Sequence, residues 1–286
     1  MGIESKTFRQ WIMFNVQCST FAVQFNKERV RSSAAKVDNA SIAQRPCFLC
    51  KENRPVGQKS IDYQGRYEIL ENPYPIFPKH LTIPTYGHTP QTLQGRLGDM
   101  LQLAKDLPEY TVFYNGPKCG ASAPDHMHFQ AGSRHFMPIE DEWQDRIGDH
   151  LAVVGQARLH LMEDAPRNTL MMIAESQEDA ITLFGGIMES LPRKMVNVLT
   201  YYEEGQWITF IFVRTKHRPT CYFAEGEEQM IISPASVDLG GVFITVREHD
   251  FLRISASDIE HILQEVCWQE NEIGLFMTNI KKYART

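Results

Sequence analysis

Gly120-Ala121-Ser122-Ala123-Pro124-Asp125-His126-Met127-His128-Phe129-Gln130 decides how this chain reads. It sets His126, His128 and Gln130 at alternate positions. Residues i, i+2 and i+4 of a strand share one face. The spacing therefore predicts a ridge of two imidazoles and one neutral amide. Residues 111–114 upstream are β-prone, and residues 115–120 between them form a turn-rich loop. Asn115, Gly116, Lys118, Gly120 and Ser122 gather backbone N–H groups, a hydroxyl and a cation beside the ridge. That composition suits a phosphate.

Imidazole titrates near pH 6.5, so at pH 7 it is largely neutral and nucleophilic. It can attack phosphorus and form a phosphoramidate, splitting one difficult displacement into two. Gln130 can donate a hydrogen bond to a phosphoryl oxygen but cannot shuttle a proton. The pattern thus favours an acceptor that is already an anion over water. The competing explanation is a half-exposed strand that happens to carry histidines, and the glycine-, serine- and lysine-bearing loop beside it argues against that.

A second constellation, Arg45-Pro46-Cys47-Phe48-Leu49-Cys50, contains a Cys-x-x-Cys pair at zinc-knuckle spacing. One pair leaves a tetrahedral site half filled, and His88 and His126 are the best further ligands. A site of Cys47, Cys50, His88 and His126 would fix His128 two residues on. The alternatives are two reduced core cysteines or a redox pair, although no thioredoxin-like βαβ pattern follows.

The segment Pro46–Cys50, then Glu71-Asn72-Pro73-Tyr74-Pro75-Ile76-Phe77-Pro78-Lys79-His80-Leu81-Thr82-Ile83-Pro84, then His88 and the His126–Gln130 pattern resemble the transferase branch of the histidine-triad superfamily. That branch includes galactose-1-phosphate uridylyltransferase and the dinucleoside tetraphosphate and nucleotide-sugar phosphorylases. The resemblance runs from about residue 45 to residue 132 and lies nearer the phosphorylases. It implies His128 as nucleophile, Gln130 as its partner, and structural zinc on Cys47, Cys50, His88 and His126. One spacing departs from the family: three residues separate Ser122 from His126, one more than expected.

The second half resembles a weaker copy of the same unit. A strand is expected over residues 169–173, a helix over 178–191 and a strand over 207–213, with no second His-x-His. Lys216-His217-Arg218 and residues 232–241 resemble the noncatalytic repeat of the dinucleotide phosphorylases. The resemblance assigns Lys216, His217 and Arg218 to a phosphate wall; the alternative is a solvated basic turn.

The expected fold is α+β, an antiparallel sheet with helices packed on it, in two histidine-triad-like repeats. Residues 1–135 form the catalytic unit and residues 136–286 the degenerate one. Smaller expectations are a helix over residues 5–17, a strand over 21–31, a helix over 89–107, an acidic linker over 136–150 and a helix over 255–268 with Ser255 or Ser257 as N-cap. The methionines read as core filler.

Composition agrees. The 286 residues are 43% hydrophobic, enough for a real core. A net charge of −6 argues against nonspecific nucleic-acid binding. No apolar run reaches membrane-spanning length. Six cysteines without a secretory pattern suit a reducing cytoplasm. The sequence thus points to a nucleotidyltransferase or phosphorylase acting on a nucleoside diphosphate sugar or dinucleoside polyphosphate. Phosphate or a sugar phosphate would be the acceptor, and the protein a monomer or homodimer. The rival from another class is a zinc-stabilised nucleotide-binding protein without turnover. A triad hydrolase is disfavoured by Gln130.

Overall fold

A computed structural model describes residues 10–17, 19–35, 37–162 and 167–283. Strands β1 (Trp11–Val16) and β2 (Ser19–Phe25) pair antiparallel, Trp11 opposite Gln24 and Val16 opposite Ser19. This corrects the helix expected over residues 5–17, of which residues 5–9 lie outside the described ones. Trp11, Met13 and Asn15 are exposed while Ile12, Phe14 and Val16 turn inward. That is a period of two, and pairing with β2 outweighs helical spacing. The strand expected over residues 21–31 ends at Phe25, where a short helical turn takes over.

Ten further strands form one antiparallel sheet: β3 (Ser60–Tyr63), β4 (Tyr67–Glu71), β5 (His80–Pro84), β6 (Tyr110–Asn115), β7 (His128–Ser133), β8 (Ile147–Val154), β9 (Ala157–Met162), β10 (Leu170–Ala174), β11 (Val196–Glu203) and β12 (Gln206–Val213). Their spatial order is β3-β4-β5-β7-β6-β11-β12-β10-β9-β8. Read inward from either edge, each half places its own strands first, second, third, fifth, fourth. In each half a helix links the third strand to the fourth: Leu97–Asp106 in one, Gln177–Ser190 in the other. The halves meet where β6 pairs with β11, Asn115 opposite Asn197. A thirteenth strand, β13 (Val242–Thr245), runs parallel to β2, so a small second sheet is built from both ends of the chain.

The large sheet is covered on both faces. On one, Met100, Leu101 and Ala104 of the first crossover helix and Leu183 and Ile187 of the second bury Val112, Phe129, Val198 and Ile211. On the other, Phe21 and Val23 of β2, Phe243 of β13 and Ile259, Ile262 and Leu263 of the Ala256–Val266 helix pack with Phe113, Leu199, Phe210 and Phe212. Ser255 caps the Ala256–Val266 helix, accepting from the Asp258 N–H, as one of the two expected serines should.

Two expectations change here. The first crossover helix starts at Leu97, not near Thr89, because Gly95 takes a left-handed φ of 69° and the preceding chain stays irregular. The acidic stretch 136–150 is no linker. It holds a short helix (Ile139–Glu142), a 3-10 turn and the start of β8, and Glu140 is buried.

Candidate active site

β7 begins at His128, so His128 and Gln130 share one strand face while His126 sits in the turn ahead of it. The expected three-residue ridge is therefore two residues long, and the His126 ring serves the cysteine pair instead. The turn at 123–126 breaks the strand period before His126 can join it.

His128 is buried and held at both ends. Its backbone N–H donates to Gln91 Oε1 at 2.8 Å, and its Nδ1 lies 2.8 Å from the His126 carbonyl. A carbonyl can only accept, so Nδ1 carries the proton and Nε2 keeps its lone pair. Burial pushes the His128 pKa down to about 4, partly offset by the hydrogen bond to His126, so the ring is neutral at pH 7. Gln91 also donates from Nε2 to the carbonyls of Asn115 and His128, tying the end of β6 to the start of β7. Sequence reading gave Gln91 no role, since its importance comes from partners 24 and 37 residues away.

Gln130 is oriented in a similar way. The Ile76 N–H donates to His80 Nδ1 at 3.1 Å, so the His80 proton sits on Nε2. That Nε2 lies 3.1 Å from Gln130 Oε1. The Gln130 carbonyl is thereby engaged, and its NH2 has no hydrogen-bond partner among the described residues. His80 is in contact with the site through Gln130.

Both residues line a cavity of about 460 Å³ whose walls also include Asn115, Gly120, Ser122, Arg45 and Arg29. The volume suits a small-molecule ligand. Gly120 has φ of 87°, and a Cβ there would lie 2.6 Å from Ala235 Cβ, so the loop can close on the second half only with glycine. Arg45 donates to the Ser122 carbonyl at 2.8 Å and lies 3.5 Å from Asp125. Arg29 donates to the Tyr74 carbonyl. Phe48, Leu49, Pro55 and Leu70 form an apolar stretch of the wall.

The other sequence-predicted phosphate residues lie elsewhere. Lys118 is exposed and does not line the cavity, nor do Lys216, His217 and Arg218. Lys216 pairs with Glu265 at 2.7 Å. Burial pushes His217 down to about 4, with Arg218 and Arg214 adding to the fall. Arg218 donates to the carbonyls of Ser33 and Ala35 and to Ser233 Oγ, and stacks over Tyr222. It clasps the segment whose Ser32, Ser33 and Ala35 form part of the cavity wall.

Cys47, Cys50, His88 and His126 converge, with one ligand atom from each within 4.8 Å of the others. The Sγ–Nδ1 separations are 3.4 Å for Cys47–His126, 3.2 Å for Cys50–His88 and 3.5 Å for Cys50–His126. A tetrahedral zinc with ordinary bond lengths needs an S···N edge of about 3.5 Å. Tautomers fit as well. His126 Nε2 lies 2.9 Å from the Thr85 carbonyl and His88 Nε2 3.3 Å from Asp125, so both Nδ1 lone pairs face the sulfurs. Burial and the neighbouring Cys47 sulfur push the Cys50 thiol up, a cost that a cation between the sulfurs would remove. The four residues can hold a zinc ion.

A family described as a domain of unknown function (DUF4922) matches residues 5–133. No curated protein matches the sequence. Among solved structures, the yeast Ap4A phosphorylase Apa2 is similar at 16% identity, covering 92% of this chain and 88% of that one, with a TM-score of 0.59. The same enzyme in complex with Ap4A is similar at 17% identity, covering 92% and 90%, with a TM-score of 0.57. Its complex with AMP gives 17% identity, 91% and 88% coverage, and a TM-score of 0.58. The likeness is one of fold, and that fold is the α+β arrangement expected from the sequence.

Proposed function

We propose that this protein is a nucleotidyl-transferring phosphorylase or transferase. Its substrate is a nucleoside diphosphate sugar or dinucleoside polyphosphate, and it works through a nucleotidyl-histidine intermediate. The observation that carries this reading is the fixed polarity of His128. Its Nδ1–H is committed to the His126 carbonyl, leaving a neutral Nε2 lone pair in a cavity wall. His128 Nε2 attacks the α-phosphorus, a P–N bond forms, and the P–O bond to the leaving phosphate breaks. The Nδ1–H···O=C bond stabilises the positive charge that develops on the ring. The acceptor oxyanion then attacks the same phosphorus, breaks the P–N bond and returns the imidazole to its neutral form.

Gln130, turned by His80, offers its NH2 to a phosphoryl oxygen, and the residue 120–122 loop offers backbone N–H groups. Arg45 and Arg29 supply positive charge against the phosphates. The apolar stretch at Phe48, Leu49, Pro55 and Leu70 suits the face of a nucleobase. Neither Gln130 nor His80 is free to deprotonate water, so phosphate or a sugar phosphate is the expected acceptor. The fold shared with a phosphorylase solved with Ap4A and AMP supports a nucleotide ligand. Zinc on Cys47, Cys50, His88 and His126 would supply a closed structural crosslink ahead of β7. With four protein ligands it leaves no position for substrate.

The test is radiolabel trapping. Incubation with α-labelled dinucleoside polyphosphate or nucleoside diphosphate sugar should give an acid-labile protein adduct. Added inorganic phosphate should discharge it as nucleoside diphosphate. His128→Ala should abolish the adduct. A full rate of turnover in that variant would overturn the reading, and so would monophosphate release that ignores phosphate.

A further inference from the structure

Arg214, at the end of β12, is fully buried, and every N–H of its guanidinium has a partner. Nε donates to the Val266 carbonyl at 3.1 Å, and Nη2 donates to the carbonyls of Lys216 and His217, each at 3.0 Å. Nη1 donates to the Pro234 carbonyl at 2.9 Å and to Asn197 Oδ1 at 2.8 Å. An arginine has donors and no acceptor. Its contact therefore decides which end of the Asn197 amide faces which way.

With Oδ1 taken, Asn197 directs Nδ2 across the β11–β6 junction. It donates to Asn115 Oδ1 and to the Cys119 carbonyl, each at 2.7 Å. Asn115 Oδ1 also receives the Ser236 N–H at 2.8 Å, a second group that can only donate. The Asn115 carbonyl is thus held inward. Its Nδ2 has no acceptor among the described residues, and Asn115 lines the cavity with His128 and Gln130.

We infer that Arg214 and Asn197 are positioning residues: through a one-way chain of hydrogen bonds they hold the Asn115 NH2 toward the phosphoryl group transferred to His128. This rests on the proposed nucleotidyl transfer. It gives the second half of the chain a part in the reaction although none of its basic 216–218 residues lines the cavity. A fixed donor of this kind acts where charge gathers on the phosphoryl oxygens, and losing one costs about 100-fold in rate.

Asn197→Asp keeps the shape and the Arg214 contact but cannot donate. It should turn or displace the Asn115 amide and slow adduct formation about 100-fold. In an Asn115→Ala background the same change should cost nothing further. Full additivity of the two losses would overturn the inference. A second measurement needs no variant and no turnover. Side-chain amide NMR of the native protein should show the Asn115 NH2 exchanging as an amide open to the cavity. Its resonance should shift when inorganic phosphate is added. A protected, phosphate-insensitive Asn115 amide would overturn the inference by itself. If the native protein formed no adduct, the nucleotidyl reading would fail while the NMR result still decided the orientation.

Discussion

At the scale of single residues, chemistry announces itself only when a side chain's type is enough to suggest its task. His128, Gln130 and the two cysteines were legible in that sense. His80, Gln91, Asn197 and Arg214 were not. Histidine, glutamine, asparagine and arginine at those positions have ordinary readings, and their roles come from partners far away in sequence. Glu140 belongs with them. It lies in what the sequence suggested was a linker, yet it is buried, accepting from Thr111 Oγ1 and the His135 N–H with Arg134 nearby. Burial pushes its pKa up to about 7, against the pull of Thr111, Arg134 and the His135 N–H. A carboxyl whose folded pKa lies above its unfolded value near 4.5 favours the native state fully below that value. The advantage is lost as pH rises through 7. Between pH 5 and 8 the native protein should therefore lose more of its melting temperature than Glu140→Gln does. Equal slopes for the two proteins would refute this.

At the scale of elements, strands with strong β-branched character and the capped Ala256–Val266 helix were readable from periodicity. The misreadings cluster where a neighbour overrules the local pattern. β1 is a strand because β2 lies beside it, and residues 89–96 stay irregular because Gly95 breaks the helix and Gln91 is used as a staple. The cysteine knuckle meets β7 at the turn that carries His126. His126 is both a ligand position and the residue whose carbonyl holds the His128 proton. Cys47→Ser should remove about one equivalent of zinc per chain, as read by metal analysis of untagged protein. It should lower the melting temperature by more than it lowers the rate per folded molecule, because a metal held by four protein ligands would stiffen the turn and take no part in the reaction. A variant with unchanged metal content would contradict the assignment.

At the scale of the whole molecule, the shared strand order of the two halves supports reading them as copies of one unit. Gln130 stands opposite Thr82 and Phe113, and Phe210 stands opposite Met171 and Leu199, at the matching place in the other half. There Ile208, Phe210 and Phe212 face the core, where the first half turns His128 and Gln130 to the cavity. Where the first half presents His128 and Gln130 to the cavity, the second presents packing residues, which is why its sequence offered so little to read. Its ordering of strands was hidden for another reason: spatial order is not written in local periodicity. The β6–β11 junction has a consequence of its own. Corresponding strands of the two halves meet there antiparallel, which is the geometry of a two-fold axis. Such an edge is self-complementary, so a lone half would recruit any second copy it met. Cutting the chain ahead of β8 should then yield two pieces that reassemble when mixed, restoring the cavity. Residues 1–146 made alone should elute as a symmetric pair or larger, and a stable monomer would argue against it. Covalent fusion would have converted an obligation to be identical into a licence to differ.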